Sequence, residues 1–204
     1  IENLNEVEEA ESFVNLKKNA IKLNMIKPLF NSLELTYERS LKPSINIQGT
    51  IGVVTEALNV GSVGERRSKE AGVYLKVQPK FFLKSGRSRA SKGLRDHPLA
   101  GAYIGPELIF TAYTYNQEVS SYDYLSGVSS TVNRKVSNSA GAFMLNFGKQ
   151  YVMSDVFTVE IFAGLGLDFG GEDDNGYYSS ARRYSHVNAA GFAFDGGVRL
   201  GFVF

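Results

Sequence analysis

Along 192–204 the side chains alternate in character at every second position. Phe192, Phe194, Val198, Leu200, Phe202 and Phe204 fall on one parity, and Ala193, Asp195, Gly197, Arg199 and Gly201 fall on the other. A helix would scatter these apolar residues around its axis, whereas a strand sends alternate side chains to opposite faces. The segment is therefore a strand with one apolar face. The same test works upstream, where Ile45, Ile47, Ile51 and Val53 alternate with Asn46, Gln48, Thr50 and Gly52. Leu33, Leu35 and Tyr37 likewise alternate with Glu34, Thr36 and Glu38. Further strands are expected over 20–27, 71–83, 101–115, 139–151 and 157–169. With 33–38, 45–53 and 192–204 they bring the expected total to about eight.

Mean hydropathy is slightly negative, and no run of about eighteen apolar residues exists to form a transmembrane helix. Yet the chain carries 21 glycines and 12% aromatic residues, all of them Phe or Tyr. Strands with one face on lipid and one on a polar interior reconcile these facts, because only every second residue must be apolar. Most of the segments reach about nine residues or more, the length a tilted strand needs to cross a bilayer. An even number of strands returns the chain to its starting side, and closure removes the unpaired edge that lipid does not tolerate. The fold class expected is all-β: a closed antiparallel transmembrane up-and-down β-barrel of about eight strands over 19–204. Residues 1–18 are expected to form an acidic N-terminal periplasmic segment, either a short helix or a disordered tail. A length of 204 residues suits one such domain.

Charge and cysteine content bound the function. The formal net charge of +1 argues against a nucleic-acid partner, which usually calls for a basic face. Zero cysteines mean no disulfide framework and no thiolate metal site. A chain beginning at Ile1 suggests that a signal peptide or a tag has been removed, and a first residue other than Cys argues against a lipid anchor there.

With both termini in the periplasm, the connections near 29–31, 56–68, 116–132 and 170–185 are extracellular. Most of these are the long, Gly/Ser/Tyr-rich ones, as usual for such barrels. Turns at 41–43 and 152–155 fall on the periplasmic side. The connection 84–98 breaks the pattern, being periplasmic yet long and basic.

Several local patterns add a resemblance. These are Asn19-Ala-Ile-Lys-Leu-Asn24 opening the first strand, Leu35-Thr-Tyr-Glu-Arg39, Ala102-Tyr-Ile-Gly-Pro106, and the final Gly-Phe-Val-Phe. From Asn19 to Phe204 the chain resembles the small outer-membrane β-barrel proteins common in Bacteroidota. The ending on Phe202 and Phe204 resembles the signal by which bacterial barrels are recognised for assembly. The resemblance implies the fold and the outer-membrane compartment; the partners expected there are lipid including lipopolysaccharide, the barrel assembly machinery and other envelope proteins. It supplies no catalytic residue and no cofactor.

The inward parity collects Lys22, Glu34, Glu38, Lys76, Lys80, Glu107, Glu160, Asp168, Asp195 and Arg199, with Tyr74, Tyr103 and Tyr113 among them. An eight-stranded barrel is only wide enough to be filled by side chains, so these groups are expected to satisfy one another. A narrow ion or proton path is the functional alternative. Packing also accounts for Gly164, Gly166 and Gly170 on that parity, which lack a dinucleotide-binding spacing.

For catalysis, Ser185 and His186 near the mouth of the last strand are the candidates for a lipid-A hydrolase. Adjacent strand residues point to opposite faces, which sets Ser185 against serving as the nucleophile of His186. His97, beside Pro98, is expected in a solvated loop. The acidic run Glu172, Asp173 and Asp174 lacks the spacing of an EF-hand calcium loop. No catalytic residue, metal site or cofactor is expected.

Two features exceed what a minimal barrel needs. One is the basic connection with Lys84, Arg87, Arg89, Lys92 and Arg95; the other is the acidic N-terminal segment with Glu6, Glu8 and Glu9. Opposite charges on one side of a membrane suit docking on each other or on a partner. Tyr115, Tyr122, Tyr124, Tyr177, Tyr178 and Tyr184 enrich the other side, as girdle or contact surface. The expected function is non-enzymatic: a structural or accessory subunit of a larger envelope complex. A surface adhesion or ligand-binding barrel is the alternative, and a lipid-A hydrolase the remaining one.

Overall fold

The computed structural model describes residues 17–42, 44–55, 71–83, 97–123, 128–169, 185, 187–189 and 191–204. Among the described residues nine strands run in chain order: β1 (Asn19–Asn24), β2 (Ser32–Lys42), β3 (Ile45–Thr55), β4 (Ala71–Phe82), β5 (Gly101–Asp123), β6 (Val128–Met153), β7 (Phe157–Phe169), β8 (Val187–Ala189) and β9 (Phe192–Val203). Each of β1 to β7 pairs with its neighbour in sequence, β7 pairs with β9, and β9 returns to β1. The closing ladder is antiparallel, from Ala20↔Val203 to Asn24↔Arg199. Eight strands therefore close an up-and-down barrel. β8 pairs with β9 from Val187↔Phe194 to Ala189↔Phe192, on the edge that short β1 leaves open above Arg199.

Parity decides which face is which. Leu35, Ile51, Leu75, Phe110, Ile161 and Leu200 all project from the outer wall and are exposed. Lys22, Glu38, Lys76, Lys80, Glu160 and Arg199 are buried at 1% exposure or less. In water this distribution would expose the apolar face and bury the charges, the reverse of an ordinary globular core. It is the distribution a lipid-facing wall requires.

The terminal end is tightly tied. The Asn19 N–H donates to the Phe204 carbonyl at 3.1 Å, and the Phe204 N–H donates to the Asn19 carbonyl at 2.9 Å. At the same end Ser154 and Asp155 link β6 to β7, both at φ +52°. The Val156 N–H closes this turn on the Met153 carbonyl at 3.2 Å. Two successive positive φ values match the right-handed twist of the flanking strands.

The β4–β5 ladder is interrupted. The flanking pairs Val77↔Leu108 and Phe81↔Ile104 place Pro79 opposite Pro106, and neither has an N–H to donate. There the strands approach closely, so that a Cβ on Gly105 would lie 1.9 Å from the Pro79 carbonyl oxygen.

Three expectations change. Residues 116–132 were expected as a loop, but the β5–β6 ladder continues from Tyr115↔Val136 to Asp123↔Val128. Paired strands thus form a ribbon about 30 Å long past the barrel, at ~3.3 Å per residue. The first crossing was expected over 20–27. β1 instead stops at Asn24, and Lys27–Phe30 form a 3-10 turn with Pro28 near its start and Asn31 left-handed at its end. The turn expected at 152–155 lies one position later, because β6 continues to Met153.

Candidate functional site

The inward residues form a continuous ion-pair network across the lumen. Lys22 of β1 lies between Glu38 of β2 and Glu160 of β7, pairing with the first and reaching the second at 2.5 Å. Lys80 of β4 pairs with the same two acids, at 3.2 Å and 2.8 Å. Arg199 of β9 joins Glu160 at 3.0 Å and Glu34 of β2 at 3.4 Å. Tyr103 donates to Glu160, and Asn46 donates to Glu38 at 2.7 Å. Three acids and three cations thus meet where five strands converge.

A second group lies toward the end away from the termini. Asp195 of β9 accepts from Lys76 at 2.6 Å and from Lys27 at 2.8 Å, and Lys76 also pairs with Glu34 at 3.5 Å. Tyr74 and Ser32 hydroxyls meet at 2.7 Å. Burying charges is costly unless each is paired and hydrogen-bonded, and here each ion pair joins two separate elements of the barrel. The network therefore braces the wall as well as filling the lumen. Rings pack against it: the Arg199 guanidinium lies 3.7 Å from the Phe162 ring centre, and the Lys80 ammonium 4.4 Å from that of Tyr103. Gly164 makes room for Asn146, whose Oδ1 would lie 1.7 Å from an added Cβ.

Both mouths are occupied. At the terminal end His97, Pro98 and Leu99 turn into the barrel, and Leu99 is fully buried against Ala20 and Val203. At the other end Ser185 is fully buried; its carbonyl accepts from Lys27 at 3.0 Å, and its hydroxyl accepts from Thr111 at 3.2 Å.

Of the residues singled out from the inward parity, the structure places Glu34, Glu38, Lys76, Glu160, Asp195 and Arg199 together in the lumen. Glu107 is buried on the same face, but makes no ion pair among the described residues. Phe202 and Phe204 lie exposed on the outer wall at the terminal end, and Phe202 stacks obliquely on Phe157 at 5.0 Å between ring centres. Lys84, Arg87, Arg89, Lys92, Arg95, Glu6, Glu8, Glu9, Glu172, Asp173, Asp174 and His186 lie outside the described residues.

His97 is a correction. It was expected in solvent, but it is buried: its Nδ1 accepts the Leu99 N–H at 3.1 Å, and burial pushes its imidazole below the ordinary value. Sequence reading also missed Lys27, assigned to a strand end, and the amides of Gln48 and Gln150, which both accept from Lys22 at 3.1 Å. Their inward parity was the available signal.

No family model matches the chain, and no curated protein does. Among solved structures the chain is similar to the N-terminal β-barrel domain of Pseudomonas aeruginosa OprF, at 10% identity and a TM-score of 0.45, over 93% of this chain and 98% of that one. The chain's own geometry is that of an outer-membrane-type barrel of eight strands with a closed, ion-paired lumen.

Proposed function

We propose that this protein is a non-enzymatic barrel of the bacterial outer membrane that serves as a structural or accessory subunit of a larger envelope complex. In this reading both termini face the periplasm, and the β5–β6 ribbon stands on the extracellular side. Lipid including lipopolysaccharide contacts the outer wall, and the assembly machinery inserts the barrel. Kinship with the small barrels of Bacteroidota fits the motifs at 19–24, 35–39 and 102–106.

The observation that carries the reading is the ribbon above a filled lumen. Lys22, Lys76, Lys80 and Arg199 are engaged with inward carboxylates, so the surfaces left for recognition are the wall, the ends and the ribbon. An isolated two-stranded ribbon is marginal in water, and its outer edges offer backbone groups to an added strand. A partner lying along the ribbon would stabilise it.

The test is mild detergent extraction of the tagged protein from native membranes, followed by mass spectrometry of what co-purifies and in what ratio. A stoichiometric envelope protein is expected, and a variant with 116–135 replaced by a two-residue turn should lose it while still inserting. A lone barrel in both preparations would overturn the subunit reading. The ribbon also favours a second reading, a ligand-binding surface barrel; loss of surface-ligand capture in the shortened variant, with no co-purifying subunit, would select it.

A further inference from the structure

The basic connection after β4 ends inside the barrel. The Ala100 N–H donates to the His97 carbonyl at 2.8 Å, forming a turn. Within that turn the imidazole Nδ1 accepts the Leu99 N–H at 3.1 Å. Leu99 is thereby held in the mouth at the terminal end, against Ala20 and Val203, with Val152 beside them. Asn46 of β3 donates to the Pro98 carbonyl at 3.4 Å and to Glu38 at 2.7 Å, which places the turn directly below the ion-pair network.

We propose that 97–99 is a proton-sensitive plug: neutral His97 latches Leu99 into the barrel mouth, and protonation of His97 releases it.

The latch depends on which nitrogen carries hydrogen. Nδ1 accepts only in the neutral ring; in the imidazolium both nitrogens carry N–H and the bond to Leu99 is lost. His97 Nε2 is buried with no hydrogen-bond partner among the described residues, so a charged ring would lack solvation there as well. The charged groups facing the ring among the described residues are Asp155, from the β6–β7 turn, which favours its charged form, and Lys17, ahead of β1, which opposes it. Lys17 itself donates to the Asp155 carbonyl at 2.9 Å. From β2 and β3 the approach is through Asn46 to Glu38.

Burial holds the docked imidazole below the ordinary value, whereas a released, hydrated ring titrates near about 6.5. The released state therefore binds the proton more tightly. Docking is at full strength above about pH 6.5, and below that value it weakens by up to about tenfold per pH unit until the docked ring itself charges. Release uncovers Asn46 and the Lys22–Glu38 pair to water, while the network above stays closed.

The chain contains no cysteine, so Leu99→Cys provides a single reporter. The purified barrel in detergent micelles is labelled with a maleimide at pH 7.5 and pH 5, each rate divided by that of an exposed Lys42→Cys reference. The expected ratio rises about tenfold or more on acidification. In a His97→Asn background, which keeps a side-chain acceptor that cannot charge, it stays flat; in His97→Ala it is high at both values. Hydrogen exchange at the Leu99 amide, corrected for intrinsic rate, makes the same comparison in the unmodified chain. Protection of that amide equal at both pH values, or an acid-induced rise persisting in His97→Asn, would overturn the plug.

Discussion

Lys22 and Glu160 meet at 2.5 Å in the lumen although 138 positions separate them. The contact exists because β1 and β7 flank β9 in the closed barrel. Glu160 also holds Lys80, Arg199 and Tyr103, which makes it the most shared carboxylate among the described residues.

Replacing Glu160 by Gln leaves these cations short of a counter-charge in a site without solvent. Removing one partner of a buried pair costs about 3–5 kcal/mol. Urea unfolding in micelles should show the midpoint fall accordingly. A double change of Glu160→Gln with Lys80→Met should recover part of the loss, and a single-variant midpoint equal to wild type would refute the bracing role.

The outer wall predicts the opposite of what a water-soluble surface would. Ile161 is 55% exposed, and Ile161→Arg on an ordinary surface would be nearly neutral. On a lipid-facing wall the same change costs about 2–4 kcal/mol near mid-bilayer. Insertion into vesicles, followed by gel mobility, should show this loss; unimpaired insertion would mean that Ile161 does not face the hydrocarbon.

Gly105 is required by the close approach at the paired prolines. Gly105→Ala drives a methyl group into the Pro79 carbonyl, which as backbone cannot turn away, and such overpacking costs about 1–3 kcal/mol. Gly49→Ala is the control, because nothing lies within 4 Å of its added Cβ. Thermal unfolding of the two variants should separate them; equal stability would contradict the close approach.

The β6–β7 turn stores a small strain. Ser154 has φ +52°, a conformation that costs a non-glycine residue about 1 kcal/mol. Ser154→Gly should raise the unfolding midpoint slightly, less any gain in unfolded-chain entropy. A clear decrease would show that the serine side chain contributes more than its backbone costs.

What the sequence determined by itself was whatever depends on alternation. The period of two is local, so the lipid-facing row of Leu35, Ile51 and Leu200, the inward row of Glu38, Glu160 and Arg199, and the number of barrel strands were legible without coordinates. Tertiary structure alone decided which inward groups meet, because Lys22 and Glu160 become neighbours only when closure sets the register across the lumen. It also decided that His97 and Leu99 turn inward, since a polar-looking connection carries no alternation to reveal a burial site that other strands create. The extension of β5 and β6 past the rim was hidden for a related reason: a ribbon beyond the bilayer has no apolar face to keep, so its strands leave no period in the sequence.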